Sequence, residues 1–322
     1  MGSVHQLRLS NTEFEGNNSI YLLGVEGAGP VTLVDTGVST PAVRAELERR
    51  LSAHGVALRD LDQILLTHWH HDHAGLAGAL QEASGATVYV HEADAPLIRQ
   101  DPEAIDQLTQ RQYEALDEWG MPDGPKSELR AFLERHSGLR GDPASVRTLE
   151  DGDVVDVGPF EVSVVHLPGH AAGLVGYVFE RDGTREAFLG DVVLPKYTPN
   201  VGGADIRVDR PLGSYLSSLR AVIDLDLDRG WPGHRGPLID PSGRAADIIA
   251  HHEARTARVV ETLEGTDPLT PWQVSAELFG ALENIHILHG PGEAYAHLEH
   301  LREAGLVRET GDGYTLVGEP TV

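Results

Sequence analysis

The sequence predicts a layered α/β sandwich in which helices lie outside mixed strands, followed by a smaller, mainly helical tail. Three observations support this fold class. Short runs of β-forming residues alternate with segments whose apolar residues recur at helical spacing. The chain has 322 residues, enough for one large domain and a small one. About 40% of the residues are hydrophobic, which is the usual share for a globular protein with a packed core.

The first part of the chain carries the predicted sheets. Short β-rich runs predict strands at 19–24, 31–37, 63–66, 86–90, 153–158, 160–167, 174–180 and 186–191. A helix follows Thr40, a good N-cap residue, with Pro41 at its first position and Gly55 as its stop. Further helices are predicted at 75–84 and 213–223. This order of strands and helices is typical of an α/β sandwich.

Two segments depart from this pattern. Residues 92–145 are polar, favour helix and are broken by proline and glycine, which predicts a helical insertion. The tail reads as three helices and a hairpin, at 242–264, 269–280, 292–305 and 306–317. Its last three elements follow the order of a winged helix. We therefore expect a main domain at 1–240, which includes the insertion, and a winged-helix-like domain at 241–322.

Composition excludes several kinds of site. The chain has no cysteine, so disulfides, thiol nucleophiles and cysteine-bound zinc are excluded. Any metal must be held by nitrogen and oxygen ligands, which the 17 histidines could supply. No run of 18 apolar residues is present, and the first residues lack the apolar region of a signal peptide. We therefore expect a cytoplasmic protein with no membrane association.

The charge of the chain restricts its partners. A formal net charge of −25 opposes binding to nucleic acid and to anionic lipid. Only two of the 25 basic residues are lysines, Lys126 and Lys196. A surface rich in carboxylates and poor in lysine is typical of halophiles, whose proteins need molar salt to fold. An arginine-biased, high-GC genome would give the same composition, and the sequence leaves both explanations open.

The strongest chemical pattern is HWHHDH at 68–73, which follows an apolar strand and precedes a helix. Its ligand-type residues include His68, His70, Asp72 and His73. A loop at the end of a strand can turn several side chains toward one point. Imidazole nitrogen and carboxylate oxygen are the ligands expected for zinc, iron or manganese. The pattern therefore predicts a metal site.

Three more residues of ligand type each follow an apolar strand and have small neighbours. They are His170 in HLPGHAAG, Asp191 in AFLGDVV and His234 in WPGHRGP. Taken singly, each could be a histidine in a turn or a capping aspartate. Taken with the motif at 68–73, they predict one shared metal site.

The ordered set LVDTG, THWHHDHAG, LPGHAAG, FLGD and PGH, spread over residues 31–236, resembles the metallo-β-lactamase superfamily. The resemblance implies an αββα sandwich with two divalent metal ions at one edge, zinc first, with iron or manganese as alternatives. It assigns His68, His70 and His170 to one metal, and Asp72, His73 and His234 to the other. Asp191 would bridge the two metals.

The resemblance also assigns supporting residues. Asp35 matches the family's strand-end aspartate and would orient a ligand or its loop, with Thr67 expected in the same role beside the motif. The sequence departs from the family at one point, because the common PGHGP is PGHRGP here. Arg235 would therefore either face the mouth of the site or lengthen the loop, and a longer loop could displace His234.

The implied mechanism uses two metals about 3.5–4 Å apart that activate a shared water, while one of them polarises the substrate carbonyl. A thiolate leaving group needs little help from a proton donor, because thiols are acidic. An alkoxide or amine would need a donor such as Asp72, so Asp72 and the bridging Asp191 are the expected catalytic carboxylates. We expect hydrolysis of an acyl or hydroxyacyl thioester or an ester, with lactones and phosphodiesters as alternatives.

Other residues could contact the substrate, which we expect to be a small or carrier-linked acyl compound. Lys196, Tyr197 and Arg207 lie in the loop after Asp191 and could bind an anionic group, with a solvated loop as the alternative. The insertion at 92–145 could be a lid over the site, or it could pack only on the core.

The tail resembles that of a β-lactamase-like subgroup that contains thioester hydrolases and single-strand RNA endonucleases. A nuclease needs a cationic surface. Residues 241–322 hold five arginines, no lysine and thirteen acidic residues, a net charge of −8. We therefore expect a pocket wall or a homodimer element here and no nucleic acid partner. A mononuclear-iron persulfide dioxygenase of the same superfamily would use fewer ligands than this chain carries.

Overall fold

The computed structural model describes residues 3–11, 16–25, 27 and 29–318. Its strands are β1 (His5–Leu9), β2 (Asn18–Leu23), β3 (Thr32–Val34), β4 (Gln63–Leu65), β5 (Thr87–His91), β6 (Val146–Leu149), β7 (Val154–Asp156), β8 (Glu161–His166), β9 (Val175–Arg181), β10 (Thr184–Gly190), β11 (Arg229–Pro232), β12 (Val307–Thr310) and β13 (Gly313–Leu316). Its helices are α1 (Pro41–Ala53), α2 (His71–Ala74), α3 (Ala77–Ser84), α4 (Ala95–Ile98), α5 (Pro102–Glu118), α6 (Asp123–His136), α7 (Pro211–Asp224), α8 (Pro241–Leu263), α9 (Pro271–Phe279) and α10 (His286–Glu303). Short 3₁₀ helices lie at Leu58–Asp60 and Ser137–Arg140.

Two mixed sheets form the centre of the fold. The first has the order β1-β2-β3-β4-β5-β6 and is parallel from β3 to β6. The second has the order β11-β10-β9-β8-β7, with β11 parallel to β10 and the other pairs antiparallel. Strands β12 and β13 form a separate antiparallel hairpin.

Apolar side chains join these elements in layers. Tyr21 and Leu65 of the first sheet pack with Tyr177 and Phe188 of the second, so the inner faces of the two sheets share one core. Helices α1 and α3 pack on the outer face of the first sheet, and α7 and α8 pack on the outer face of the second. The predicted α/β sandwich with helices outside mixed strands is therefore confirmed.

The predicted helix starts follow from their caps. The Thr40 side chain accepts a hydrogen bond from the backbone N–H of Val43 at 3.2 Å, and α1 begins at the following proline. Thr270 caps α9 in the same way and forms a reciprocal capping box with Gln273. These caps satisfy backbone donors that the first turn of a helix leaves unpaired.

The strand predictions missed β1, β6 and β11. All three lie at the edges of their sheets, and each contains an arginine. An edge strand pairs on one side only and tolerates charged residues, so its composition resembles that of a loop. In β11 a glycine and a proline weaken the strand pattern further.

Helix α10 begins at His286, six residues before the start predicted from the sequence, and contains Pro291. The sequence Gly-Pro-Gly at 290–292 read as a break. Its glycines allow close packing instead, because a Cβ on Gly292 would lie 2.3 Å from the Cα of Gly203. Leu116 and Trp119 of the insertion also pack against this end of α10.

The tail has a small core of its own, formed by α8, α9, α10 and the hairpin. Its element order matches the predicted one. None of the helices among the described residues combines the length and the apolar character that a membrane span requires.

Candidate metal centre

The chain between β4 and α3 brings the motif residues together. The loop after β4 carries His68 and His70, and α2 carries Asp72 and His73. His68 Nε2 lies 3.0 Å from His70 Nδ1, so both rings point at one place. Because β4 ends beside the inner core, this short segment turns several buried polar side chains toward the same edge of the sandwich.

A first group consists of His68, His70 and His170, with one ligand atom of each within 4.8 Å of the others. His170 lies in the loop after β8. Its Nδ1–H donates to the carbonyl oxygen of Asn200 at 2.8 Å, which leaves Nε2 for the shared centre. That Nε2 atom is buried and has no hydrogen-bond partner among the described residues.

The Asn200 side chain ties the same loop to the tail. Its Nδ2 donates to the carbonyl oxygen of His289 at 3.0 Å and to Glu293 at 3.2 Å, both on α10. The position of the His170 ring therefore depends on a residue that α10 holds. Sequence patterns give no sign of this role, because it uses a main-chain carbonyl.

A second group consists of Asp72, His73 and His234. His234 Nε2 lies 3.3 Å and His73 Nε2 lies 3.6 Å from Asp72 Oδ2. His73 Nδ1–H donates to Asp35 at 2.9 Å, and Asp35 also accepts from the backbone N–H of Thr67 at 2.8 Å. Asp35 therefore contacts a predicted ligand and its loop, in the arrangement expected of an orienting residue.

Asp191 lies between the two groups. Its Oδ2 is 3.4 Å from His234 Nε2, 3.6 Å from His73 Nε2 and 3.8 Å from His170 Nε2. Its Oδ1 is buried without a hydrogen bond to any described residue. The chain reaches this position because Gly190, with a φ of +47°, packs against Thr67, where a Cβ would lie 2.8 Å away.

These contacts fit divalent metal ions. Two ligand atoms that share one tetrahedral metal at about 2.0–2.1 Å lie about 3.4 Å apart, close to the separations seen here. Unpartnered buried nitrogens and a carboxylate oxygen are costly unless something binds them. The structure thus brings all seven predicted ligands together, and their nitrogen and oxygen atoms suit zinc, iron or manganese.

Burial and nearby charges shift the histidine pKa values of the two groups in opposite directions: they are raised in the second group and lowered in the first. Burial alone would lower the pKa of His73, but nearby carboxylates, led by Asp72, raise it well above the usual histidine value. Burial would likewise lower the pKa of His234, but Asp191 and Asp72 raise it to about 10. Burial would raise the pKa of Asp72, but the two histidines hold it below its usual range. An ionised Asp72 is a poor proton donor, which disfavours the donor role expected for it.

In the first group, burial outweighs the effect of nearby carboxylates. Burial, with His73 and His70 beside it, lowers the pKa of His68 well below the usual histidine value. Burial and the neighbouring His170 lower the pKa of His70 to about 3. Burial also lowers the pKa of His170. These three imidazoles are therefore neutral near pH 7 and ready to bind a metal.

Zinc binding is expected to release protons mainly from the second group. A metal binds neutral imidazole, so uptake there must displace the protons that the raised pKa values hold on His73 and His234. The zinc affinity of this group should therefore rise with pH between 6 and 8, whereas that of the first group should change little. Calorimetric titration of metal-free protein in buffers of different ionisation enthalpy measures the released protons. Binding without proton release in this range would contradict the expectation, and His234→Gln should reduce the release.

Gly233 has no side chain, which allows Asp191 and His73 to lie close to it at the candidate centre. A Cβ there would lie 2.3 Å from Asp191 Oδ1 and 2.5 Å from His73 Cε1. We expect Gly233→Ala to displace these side chains, to destabilise the protein by about 1–3 kcal/mol, and to reduce bound metal to one ion per chain or fewer. The control is Gly236→Ala, whose Cβ would meet only the end of the flexible Arg8 side chain at 3.3 Å. Equal metal content in the two variants would disprove the steric role.

The extra residue in PGHRGP does not displace His234. Arg235 absorbs it in a left-handed conformation with a φ of +68°. Its carbonyl accepts hydrogen bonds from Ser19 at 2.7 Å and from Gln6, and its guanidinium lies 5.3 Å from the centre of the Tyr197 ring. The loop therefore remains tight around His234.

The three residues expected to contact substrate do not line the cavity beside the ligands. Lys196 is exposed, and Tyr197 packs under Arg235. Arg207 donates to Asp94 at 2.7 Å and to Asp205 at 2.5 Å. Two buried carboxylates thus already bind the Arg207 guanidinium, which disfavours the substrate contact expected for it.

This ion-pair cluster supports the centre instead. Asp94 accepts from the backbone N–H of Trp69 at 3.0 Å, and Asp205 accepts from that of Ala172 at 2.9 Å. Arg207 joins the two carboxylates and thus links the two loops that carry the first ligand group. Sequence reasoning missed Asp94 and Asp205, because neither belongs to a recognisable motif.

A cavity of about 340 Å³ lies next to the ligands, and Asp72, His170, Asp191 and His234 reach its surface. Apolar residues of the insertion and of the tail form much of its remaining wall: Ile105, Leu108, Phe132, Leu133, Ile285 and Leu288. The insertion therefore does more than pack on the core, because it encloses space beside the candidate centre.

Comparison with known proteins identifies the family. The model of the Metallo-beta-lactamase superfamily matches residues 14–234, a range that contains all seven candidate ligands. The probable metallo-hydrolase YqjP of Bacillus subtilis is 28% identical over 293 residues, which cover 89% of this chain and 89% of that protein.

Two solved structures resemble the chain along almost its whole length. A metallo-beta-lactamase family protein from Thermus thermophilus is 32% identical, with a TM-score of 0.83 and 98% of each chain covered. A beta-lactamase domain protein from Burkholderia ambifaria is 26% identical, with a TM-score of 0.82, covering 98% of this chain and 92% of that one. The likeness thus includes the insertion and the tail as well as the sandwich.

Proposed function

Because this chain belongs to the metallo-beta-lactamase superfamily, we propose that it is a dinuclear metal-dependent hydrolase of thioesters or esters. The observation that carries the proposal is the position of Asp191, whose Oδ2 is within 3.8 Å of His170 in one ligand group and 3.4 Å of His234 in the other. One carboxylate can therefore serve two metals. When bound, two divalent metals supply an activated water and polarise the substrate carbonyl.

The protein's own residues fix this chemistry in place. Asp35 holds the His73 ring, and the Asn200 carbonyl holds the His170 ring, so the Nε2 atoms of both point at the centre. The buried ligands sit beside a partly enclosed cavity, where electrostatic interactions are stronger than in open water. The fold thus supplies preorganised ligands, and the cavity supplies the place for the acyl group.

The substrate class is proposed from the wall and from the leaving group. Apolar side chains such as Leu108, Phe132 and Leu288 suit an acyl body. A thiolate leaving group needs little help from a proton donor, which agrees with the lowered pKa of Asp72. A net charge of −25 opposes a nucleic acid substrate. A small or carrier-linked acyl thioester or ester fits these features best.

We further propose that the tail is a winged-helix-like unit that forms a substrate wall. Ile285, Leu288 and His289, at or near the start of α10, line the cavity, while Glu299 and Glu303 give the rest of this helix an acidic character. A helix that reads nucleic acid needs cationic residues in their place. Zinc is the proposed metal, because histidine and carboxylate ligands are usual for zinc, and iron or manganese are the alternatives that the same ligands accept.

Metal content and a substrate panel test the proposal. We expect two zinc ions per chain by mass spectrometry, and turnover of neutral acyl thioesters and esters that stops on chelation and returns with zinc. One metal per chain, or turnover confined to other substrates, would contradict it. Cleavage of single-stranded RNA that survives high salt would support a nuclease. One iron with oxygen consumption would support a persulfide dioxygenase, and turnover of lactones alone would support a lactonase.

A further inference from the structure

One cation stands out in the wall of the cavity. Among the described residues that line it, Arg140 is the only arginine or lysine. It ends the 3₁₀ helix Ser137–Arg140, which follows α6. Its side chain is partly buried, and the structure gives it no hydrogen bond or ion pair with any described residue. An arginine of this kind has five N–H donors directed at water or at a ligand.

Arg140 lacks the carboxylate partner that several other arginines of this acidic chain have. The sequence has twice as many acidic residues as basic ones, 50 against 25, and the partly buried Arg181, Arg207 and Arg255 each pair with a carboxylate. Partial burial without a carboxylate is unfavourable for a guanidinium, and it lowers the pKa of Arg140. An anion that enters the cavity would relieve this cost.

The backbone holds Arg140 at a fixed place relative to the metal ligands. The next residue, Gly141, packs so closely on the end of α2 that a Cβ would lie 2.0 Å from the carbonyl oxygen of Gly75. Gln100 donates to the Gly141 carbonyl at 2.9 Å. Helix α2 carries Asp72 and His73, so Arg140 and these two candidate ligands belong to one packed unit.

We propose that Arg140 binds an anionic group at the end of the acyl chain, so that the substrate is an ester or thioester with an apolar body and a carboxylate or phosphate end. The inference rests on the proposed hydrolase function. The planar guanidinium can donate a pair of parallel hydrogen bonds to either anion. The apolar side chains that share the cavity would contact the body of the substrate, while the metal centre meets its ester group.

Matched substrates test the proposal by kinetics. The N-acetylcysteamine thioesters of hexanoate and adipate differ in a terminal methyl or carboxylate, and a 6-phosphonohexanoyl thioester gives the phosphate-like arm. We expect kcat/KM of the zinc-loaded enzyme to be about 10- to 100-fold higher for the better anionic thioester than for the neutral one. In Arg140→Gln this preference should disappear, with the neutral thioester hydrolysed within about twofold of the unmodified enzyme. Arg140→Lys should keep part of the preference.

The control variant is Arg135→Gln, which removes an exposed arginine of α6 that does not line the cavity. It should keep the full preference for the anionic end. A preference that survives in Arg140→Gln, or one that is absent from the unmodified enzyme, overturns the proposal. Because Arg140 has no partner to lose among the described residues, both variants should unfold at the same temperature as the unmodified protein.

A binding measurement separates this proposal from the hydrolase function. Adipic acid monoamide and hexanamide offer the same chain with and without the carboxylate, and neither has an ester to hydrolyse. Calorimetry on the zinc-loaded protein should show at least about tenfold tighter binding of the monoamide, and equal binding of the two in Arg140→Gln. If no ester is hydrolysed but this difference is present, the hydrolase function fails and the anion site stands. If esters are hydrolysed and the difference is absent or survives in Arg140→Gln, the anion site fails alone.

Discussion

Replacing Asp191 with asparagine is expected to lower kcat/KM for a thioester by at least about 1,000-fold and to leave one metal ion or fewer per chain. The asparagine amide carries no negative charge, so it cannot bridge two metal ions as the carboxylate of Asp191 would. Metal activation of water and of the carbonyl is worth several kcal/mol, and about 4 kcal/mol corresponds to this change in rate. Steady-state kinetics and metal analysis of the same preparation measure both effects.

The matched control for this variant is Asp209→Asn. Asp209 is exposed, lies in the segment between Asp191 and α7, and does not line the cavity. Its loss should change neither the rate nor the metal content. An Asp191→Asn enzyme that keeps two metals and the unmodified rate would refute the bridging role.

Replacing Arg207 with glutamine is expected to destabilise the folded protein by about 3–5 kcal/mol, because Asp94 and Asp205 would remain buried without a cation. Both carboxylates are 0% exposed, so water cannot compensate for the lost charge. The loops that they fix carry Trp69 and Ala172, so bound metal should fall as well. Chemical denaturation followed by circular dichroism, with metal analysis at each step, measures both changes.

Arg210→Gln gives the comparison. This arginine pairs with Glu303 at 3.6 Å, but its side chain is 72% exposed, and its loss should change stability by no more than about 0.5 kcal/mol. Equal stability losses in the two variants would show that the Arg207 cluster has no special role. A triple variant that also carries Asp94→Asn and Asp205→Asn should recover part of the loss, because no buried charge is then unpaired.

The candidate ligands could be recognised in the sequence because the motifs that contain them are local. His68, His70 and Asp72 stand in one short motif after a strand, and the order of the later motifs extended the set to Asp191 and His234. The predicted pairing of ligands into two groups agrees with the distances in the structure. Local sequence is informative here because each ligand must follow a strand end to reach the centre.

The supporting contacts could not be predicted in this way. Arg207 and Asp94 are 113 positions apart, and nothing near either residue indicates the other. The carbonyl of Asn200 acts through the main chain, which every residue possesses. Substrate contacts after Asp191 were expected because the loop lies at the strand-end side of the sheet. The arginine that lines the cavity is Arg140 of the insertion, whereas the loop after Asp191 contributes Ala204 to the lining.

The Asn200 contacts constrain how this architecture can diversify. Its side chain holds the carbonyl of His289 and the carboxylate of Glu293, while its own carbonyl orients the imidazole of His170. If recombination replaced the last part of the chain, from α8 onward, with that of a distant homologue, these contacts would be lost. The orientation of the His170 ring at the candidate metal centre would then change. Chimeras that bind metal should be those whose new helix has a carbonyl and a carboxylate at the positions of His289 and Glu293. Chimeras that lack either acceptor should bind metal more weakly.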